Sequence, residues 1–328
     1  HTRCARWSRG LGDVYKRQVQ APALTKPRFA LNTGRNRDQW HTMTRTGKSA
    51  RLGPHLAEPY AELNPADAAA LGAKPGSLIA VESIYGRALL RALITPRTAV
   101  GQIFAPMHWT RQRATAGTIN SVIAPVTDPF SGQPALKSTP VTAEVYRAKW
   151  YGFLASSTLP AAQTPYAAIA RTQTGWQVEL ASSKTPADWE TEARKLTGQM
   201  GGDLSIQTDP ATGSIRIAFA QNGLITALFF ASPDPVVLSR TAMIGLIGTD
   251  TPPLVALAGR SAADQPDAGA TVCACFNVGR NTLLAAAANG ARSLAALGDA
   301  TCAGTNCGSC KPELTALLAE ASLPMAAE

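Results

Sequence analysis

The spacing of apolar residues along this chain changes twice, and the changes mark three regions. From about residue 26 to 148, short apolar runs alternate with turn residues. SLIAVESI and RALLRALI flank Tyr85-Gly86 and predict a hairpin, and the apolar run GQIFAP predicts a further strand. One helix interrupts them, with Asn64 as N-cap, Pro65 at the first helical position, Asp67 in the first turn facing the positive helix end, and Gly72 as the stop. A Ser, Thr and Pro-rich stretch at 155–165 then leads into a second region, where Thr185-Pro186 is expected to open a helix ending at Gly198. There IRIAFA and LITALFF predict two strands joined at Asn222-Gly223.

Beyond a Pro, Asp and Ala-rich linker at 261–270 the period becomes helical. NTLLAAAANG predicts a helix with Asn281 near its start and Gly290 past its end. SLAALG predicts a second, stopping at Gly298, and Pro312 suits the first turn of a third through LTALLAE. The expected fold class is therefore multi-domain α+β. The expected boundaries are 19–150 for the front domain, 151–264 for a small α+β connector and 265–328 for a small helical module.

Composition narrows the functional classes. The 328 residues can bury a sizeable core, and no run approaches the roughly 20 apolar residues of a membrane helix, so no membrane partner is expected. The net charge of +9 would suit nucleic acid, but it is unevenly placed. Residues 19–60 carry seven Lys or Arg against Asp38 and Glu58, whereas from 261 onward three basic residues face six acids. The cysteine-rich end is thus mildly acidic, and a nucleic-acid partner is not expected. The first eighteen residues, HTRCARWSRGLGDVYKRQ, lack both an initiator Met and the apolar core of a signal peptide. Their tail looks like a translated sequencing adaptor, the alternative being a genuine basic arm. On that reading residues 1–18 are non-native, and Val19 begins inside a longer gene.

Five of the six cysteines fall between Cys273 and Cys310. Clustering of this kind favours a metal site in a reducing compartment over scattered disulfides, and a cytoplasmic location is expected. The pattern is Cys273-x-Cys275, thirty-one residues, then Cys307-x-x-Cys310, each pair in turn-like text beside a helix. Four thiolates so placed can hold a 2Fe-2S cluster, with Gly304 and Gly308 freeing backbone N–H groups to point at sulfur. Zinc is the competing ligand, although zinc ribbons usually present two C-x-x-C knuckles on hairpins. Cys302 is expected to be a loop or core residue.

Two stretches resemble known families. VCACFNVG with AGTNCGSCKPEL resembles the 2Fe-2S domain of bacterioferritin-associated ferredoxins, which also occurs at the ends of assimilatory nitrate and nitrite reductases. That resemblance makes Cys273, Cys275, Cys307 and Cys310 the cluster ligands. LNTGRNRDQWHTMTRTGKSARL, EPYAELNPADAAALGAKPGSLIAVES, GQIFAPMHWT and NSVIAPVTDPFSGQPALK, in this order, resemble the C-terminal molybdopterin-dinucleotide-binding domain of assimilatory nitrate reductases. A double-psi β-barrel is implied for the front.

The residue types agree with this second likeness. A pyrophosphate, a guanine and ribose hydroxyls need cationic and backbone donors with a few hydroxyls. Gly34 allows close backbone approach, Arg35 and Arg37 can face phosphate, and Trp40, His41 and Thr42 can stack or hydrogen-bond. Thr33, Asp38 and Gln39 complete the segment, whose bland reading is a solvated basic loop. By position in the family pattern, Asn120 and Lys137 fall among the dinucleotide contacts, and Met107, His108 and Trp109 along a substrate funnel. His55 and Glu58 receive no role.

The resemblance implies a C-terminal fragment of a nitrate reductase catalytic subunit. Its cofactors would be a 2Fe-2S cluster, a molybdenum bis(molybdopterin guanine dinucleotide) shared with a missing N-terminal half, and a 4Fe-4S cluster in that half. Nitrate would be the substrate, and a flavoprotein reductase, ferredoxin or flavodoxin the electron donor. The fragment alone would catalyse nothing. Another molybdopterin enzyme such as a formate dehydrogenase, or a non-catalytic electron-transfer or cluster-carrier protein, are the alternatives.

Overall fold

A computed structural model describes residues 29–261 and 266–322. The expectations for residues 1–18 lie outside the described residues. Two compact units emerge, and the boundary is discontinuous: one comprises 1–34, 60–107 and 118–146, the other 35–59, 108–117 and 147–328. Residues 35–59 and 108–117, read from sequence as part of the front domain, thus group with the later chain.

The first unit is a closed six-stranded barrel. Its strands are β1 (Phe29–Gly34), β2 (Tyr60–Leu63), β3 (Leu78–Ser83), β4 (Gly86–Ile94), β5 (Gln102–Pro106) and β6 (Thr139–Val145), in the order β1-β5-β2-β4-β3-β6. β1 with β5 and β2 with β4 run parallel, and the other neighbours antiparallel. Alternation along β1 sends Phe29, Leu31 and Thr33 inward, where the two apolar ones join Leu63, Ile79, Leu90, Ile103 and Val141 in one core. The β3–β4 hairpin forms where the sequence expects it, but pairing of Ser83 with Gly86 puts its turn at Ile84-Tyr85, one residue early. Gly86 belongs to the strand because a Cβ there would stand 2.5 Å from the Ser121 carbonyl oxygen.

The helix α1 (Pro65–Leu71) starts and stops as expected: Asn64 accepts from the Ala66 N–H at 3.0 Å, and Gly72 is left-handed at φ 68°. Asp67 lies in the first turn as expected, and its buried carboxylate also accepts the Gly101 N–H at 2.8 Å and so ties the helix to the approach to β5.

The second unit is built on a six-stranded antiparallel sheet. It comprises β7 (Trp150–Ser156), β8 (Tyr166–Arg171), β9 (Trp176–Ser182), β10 (Asp203–Asp209), β11 (Ser214–Gln221) and β12 (Leu224–Ser232), in the order β10-β11-β12-β7-β9-β8. Both faces are covered, which is why every residue of β7 is buried. Trp150 and Leu154 meet the helix α2 (Trp189–Thr197) on one face. Phe153 and Ala155 meet α3 (Arg240–Gly245) and α4 (Pro253–Ala256) on the other. Asn222 and Gly223, with φ 53° and 78°, make the two-residue hairpin turn that the sequence predicts. α2 begins three residues later than Thr185-Pro186 suggests, because the Asp188 carboxylate accepts the Thr191 N–H at 2.8 Å and is the effective cap. The region read as a connector therefore has two cores of its own.

At the end of the chain a short hairpin, β13 (Thr271–Cys273) with β14 (Val278–Gly279), is followed by α5 (Arg280–Ala288), α6 (Leu294–Thr301) and α7 (Lys311–Ser322). Leu283, Leu297, Leu314 and Leu317 pack with Cys273 and Cys310 in one small core. α6 runs one turn past Gly298 and stops at Cys302, whose φ of 62° and N–H bond to the Gly298 carbonyl make it the cap.

Candidate functional site

The four cysteines singled out by spacing come from three places in the terminal region. Cys273 closes β13, Cys275 lies in the turn that follows, and Cys307 and Cys310 lead into α7. They are arranged as two pairs. Cys275 Sγ stands 3.3 Å from Cys307 Sγ on the accessible side, while Cys273 and Cys310 interact with each other in the core, each 2% exposed. A four-thiolate zinc site needs all its sulfurs around one point, whereas a 2Fe-2S cluster takes two per iron. Two soft-donor pairs suit the binuclear cluster.

The surroundings differ between the pairs. Hydrogen bonds from the Ser309 hydroxyl and N–H, and from Cys275, hold the Cys307 thiol below its usual range. Burial pushes the Cys310 thiol up, Cys273 adds to this, and Arg37 and the Gly304 N–H oppose it. Gly304 thus does aim its N–H at sulfur. Cys302 is exposed and committed to capping α6, away from either pair's hydrogen bonds.

The residues expected to meet the dinucleotide divide into two groups. Thr33 is buried and donates to the Leu136 carbonyl at 2.9 Å, and the Lys137 ammonium donates to the Thr33 carbonyl. The space over Gly34 is filled: a Cβ there would lie 2.5 Å from the Phe104 ring. Gln39 is buried, accepting from Thr46 Oγ1 at 2.8 Å. These three positions shape the backbone. Arg35, Trp40, His41 and Thr42 are exposed, as are Asn120 and Lys137 of the barrel unit. His41 and Met43 hold left-handed backbones at φ 46° and 61°, a conformation that non-glycine residues keep only when their surroundings impose it.

At His41 the contact is with His108. With 0% exposure, it accepts the Asn36 N–H at Nε2 (2.8 Å) and donates from Nδ1 to the His41 carbonyl (2.6 Å). A backbone N–H can only donate, so Nε2 is bare and the ring is neutral with its proton on Nδ1. Burial is the main cause holding the His108 pKa below the usual histidine value. The His41 hydrogen bond opposes this, and the Arg35 and His41 charges reinforce it. Trp109 is likewise buried, and Met107 is half-buried. Of the residues expected along a funnel, His108 and Trp109 are thus packed, and both ring nitrogens of His108 are taken by the backbone.

Arg37 and Asp38 turn toward the cysteines. Arg37 Nη2 lies within hydrogen-bonding distance of three acceptors that share its two protons: His55 Nε2 at 2.8 Å, the Val272 carbonyl at 2.5 Å and Glu313 Oε2 at 3.2 Å. A guanidinium has no acceptor, so His55 Nε2 is bare and its Nδ1 proton faces the Asp38 carboxylate, its partner on that side. Burial raises the Asp38 pKa, but the hydrogen bond from His55 and the Arg37 charge outweigh it and leave the carboxyl below its ordinary value. Arg51 Nη1 donates to the Cys275 carbonyl at 3.3 Å. The segment is steadied from the sheet side: Tyr166 hydroxyl donates to Glu58 at 2.6 Å, and Gly53 lies so near the Arg171 carbonyl that a Cβ would stand 2.6 Å from it. Sequence reading missed His55, Arg51 and Glu313, and no local signal marks them, since their partners are 18 to 276 residues away.

Comparison with known proteins follows these two sites. Residues 29–140 match the Molydopterin dinucleotide binding domain family and residues 271–320 the BFD-like [2Fe-2S] binding domain family. The chain is 35% identical over 313 residues to a nitrate reductase of Klebsiella oxytoca, covering 88% of this chain and 33% of that protein. It is 32% identical over 143 residues to a nitrate reductase of Shewanella frigidimarina (38% and 15%), and 31% identical over 115 residues to the putative formate dehydrogenase YrhE of Bacillus subtilis (35% and 11%). The chain therefore spans about a third of the length of the Klebsiella relative. No helix among the described residues is long and apolar enough to cross a membrane. Two cysteine pairs within the match to the BFD-like [2Fe-2S] binding domain and a barrel within the match to the molydopterin dinucleotide binding domain lie in a chain that is similar to a nitrate reductase over 88% of its length.

Proposed function

We propose that this chain is the C-terminal part of an assimilatory nitrate reductase that holds one arm of the molybdopterin guanine dinucleotide and relays electrons through a 2Fe-2S cluster. The observation that carries the reading is the paired arrangement of the four cysteines behind a dinucleotide-binding barrel, in a chain whose likeness to a nitrate reductase extends over 88% of its length. When bound, the two cofactors supply electron transfer and removal of an oxygen atom from nitrate to give nitrite. The chain's own residues bind and orient. Arg35, Trp40, His41, Thr42, Asn120 and Lys137 are the exposed groups suited to phosphate, ribose and base. Cys273, Cys275, Cys307 and Cys310 hold the cluster, and the accessible Cys307 edge is where a flavoprotein, ferredoxin or flavodoxin donor approaches in the cytoplasm.

The barrel's mixed order, with two parallel pairings in a closed six-strand ring, supports a double-psi topology. A formate dehydrogenase is the second reading, favoured by the match to YrhE. The test is anaerobic purification of the protein with its adjoining coding sequence, followed by assay with a reduced dye. Nitrate-dependent dye oxidation sustains the proposal. Formate oxidation without nitrate turnover selects the second reading, and a colourless protein carrying zinc overturns the electron relay.

A further inference from the structure

The segment 35–59 reaches the cysteine module through two arginines, and both grip the backbone of the same C-x-C motif. Arg37 takes the carbonyl of Val272, the residue before Cys273, and Arg51 takes the carbonyl of Cys275 itself. The Arg51 contact is exposed, whereas the Arg37 contact is partly buried. The side chains of Arg37, Asp38 and His55 are 18%, 10% and 5% exposed, and the His55 ring bridges the Arg37 guanidinium and the Asp38 carboxylate.

We propose that Arg37, held by the His55–Asp38 pair, is a positioning residue for the 2Fe-2S cluster: it fastens the cysteine module to this segment and sets the cluster's reduction potential. The inference rests on the cluster reading of the cysteines proposed above and reassigns Arg37 and Asp38 from the dinucleotide to the cluster. One-electron reduction adds a negative charge to a centre already ligated by four thiolates. A cation on the carbonyl next to Cys273 stabilises the reduced form, and the carboxylate paired with that cation opposes it. The same short segment exposes Arg35, Trp40, His41 and Thr42. Its backbone thereby gives a continuous covalent route between the cluster's anchor and the residues assigned to the dinucleotide.

Redox titration of the full chain, anaerobically reconstituted with iron and sulfide and followed by visible absorption and electron paramagnetic resonance, tests this. Arg37→Gln removes the positive charge and should lower the midpoint potential. Asp38→Asn removes the negative charge while keeping an oxygen acceptor for the His55 Nδ1 proton, and should raise it. Arg37→Lys should restore the midpoint toward that of the unaltered chain. Opposite shifts at unchanged iron and sulfide content are the expected result, because a merely structural role would move both variants the same way or neither. Shifts of one sign, or none, overturn the proposal. Should Arg37→Gln fail to retain the cluster, Asp38→Asn decides alone, and an unmoved midpoint in that variant refutes the electrostatic role. Failure of the underlying reading would show earlier, as an unaltered chain that binds no iron and no labile sulfide.

Discussion

Replacing His108 with Ala should loosen the one loop that both cofactor readings need. The buried imidazole spans the turn between Asn36 and His41, and its loss strands a backbone N–H and a carbonyl, each losing a bond of 2.8 or 2.6 Å. An unsatisfied buried polar group costs about 1 to 3 kcal/mol, so the two together should destabilise the unit by roughly 2 to 6 kcal/mol. The pH dependence has a defined sign. The folded pKa of His108 is lowered, so below the ordinary histidine value of about 6.5 the unfolded chain binds a proton that the native chain does not. His108 therefore contributes stability that is present above that value and is lost as pH falls through it, at up to about 1.4 kcal/mol per pH unit. Guanidinium unfolding followed by tryptophan fluorescence at pH 7.5 and 5.5 measures both effects. The unaltered chain should lose more stability on acidification than His108→Ala. Equal pH dependence in the two proteins, or a variant as stable as the original at pH 7.5, would refute the clip.

Four further outcomes follow from the same geometry. Ser at Cys273, Cys275, Cys307 or Cys310 should each weaken or abolish the 2Fe-2S absorption and the matching iron and sulfide content, because a hard oxygen replaces a soft ligand; Cys302→Ser should leave them nearly intact, since that residue caps α6. Gly34→Ala should cost about 1 to 3 kcal/mol by overpacking against the Phe104 ring, with part of the loss recovered in Gly34→Ala/Phe104→Leu on thermal unfolding. Arg35→Ala in the enzyme purified with its adjoining sequence should reduce guanine dinucleotide content, and unchanged content would remove Arg35 from that site. Glu58→Gln should leave cluster content unchanged while lowering the melting temperature slightly, because an amide oxygen still accepts from the Tyr166 hydroxyl but without charge; a loss of iron would show that Glu58 acts on the cysteine module directly.

Much of this protein was decided by short-range patterns. Asn64 and Gly72 bound α1, Asn222-Gly223 turns the β11–β12 hairpin, and Pro312 sits in the first turn of α7, because caps and tight turns depend on a few neighbouring residues and their allowed backbone angles. The four cysteines were legible for a related reason: soft donors at close spacing have few other uses. Tertiary structure decided the rest. Whether an arginine meets a phosphate or a carbonyl depends on what the fold brings opposite it, and Val272 and Glu313 lie 235 and 276 residues beyond Arg37. The same holds for His108, which composition cannot distinguish from a ligand-facing histidine, and for Gly34, whose missing side chain makes room for Phe104 and not for a cofactor. Side-chain type sets what a residue can bind, whereas long-range packing sets which partner is within reach, and only the latter assigned Arg37 to the cysteine module.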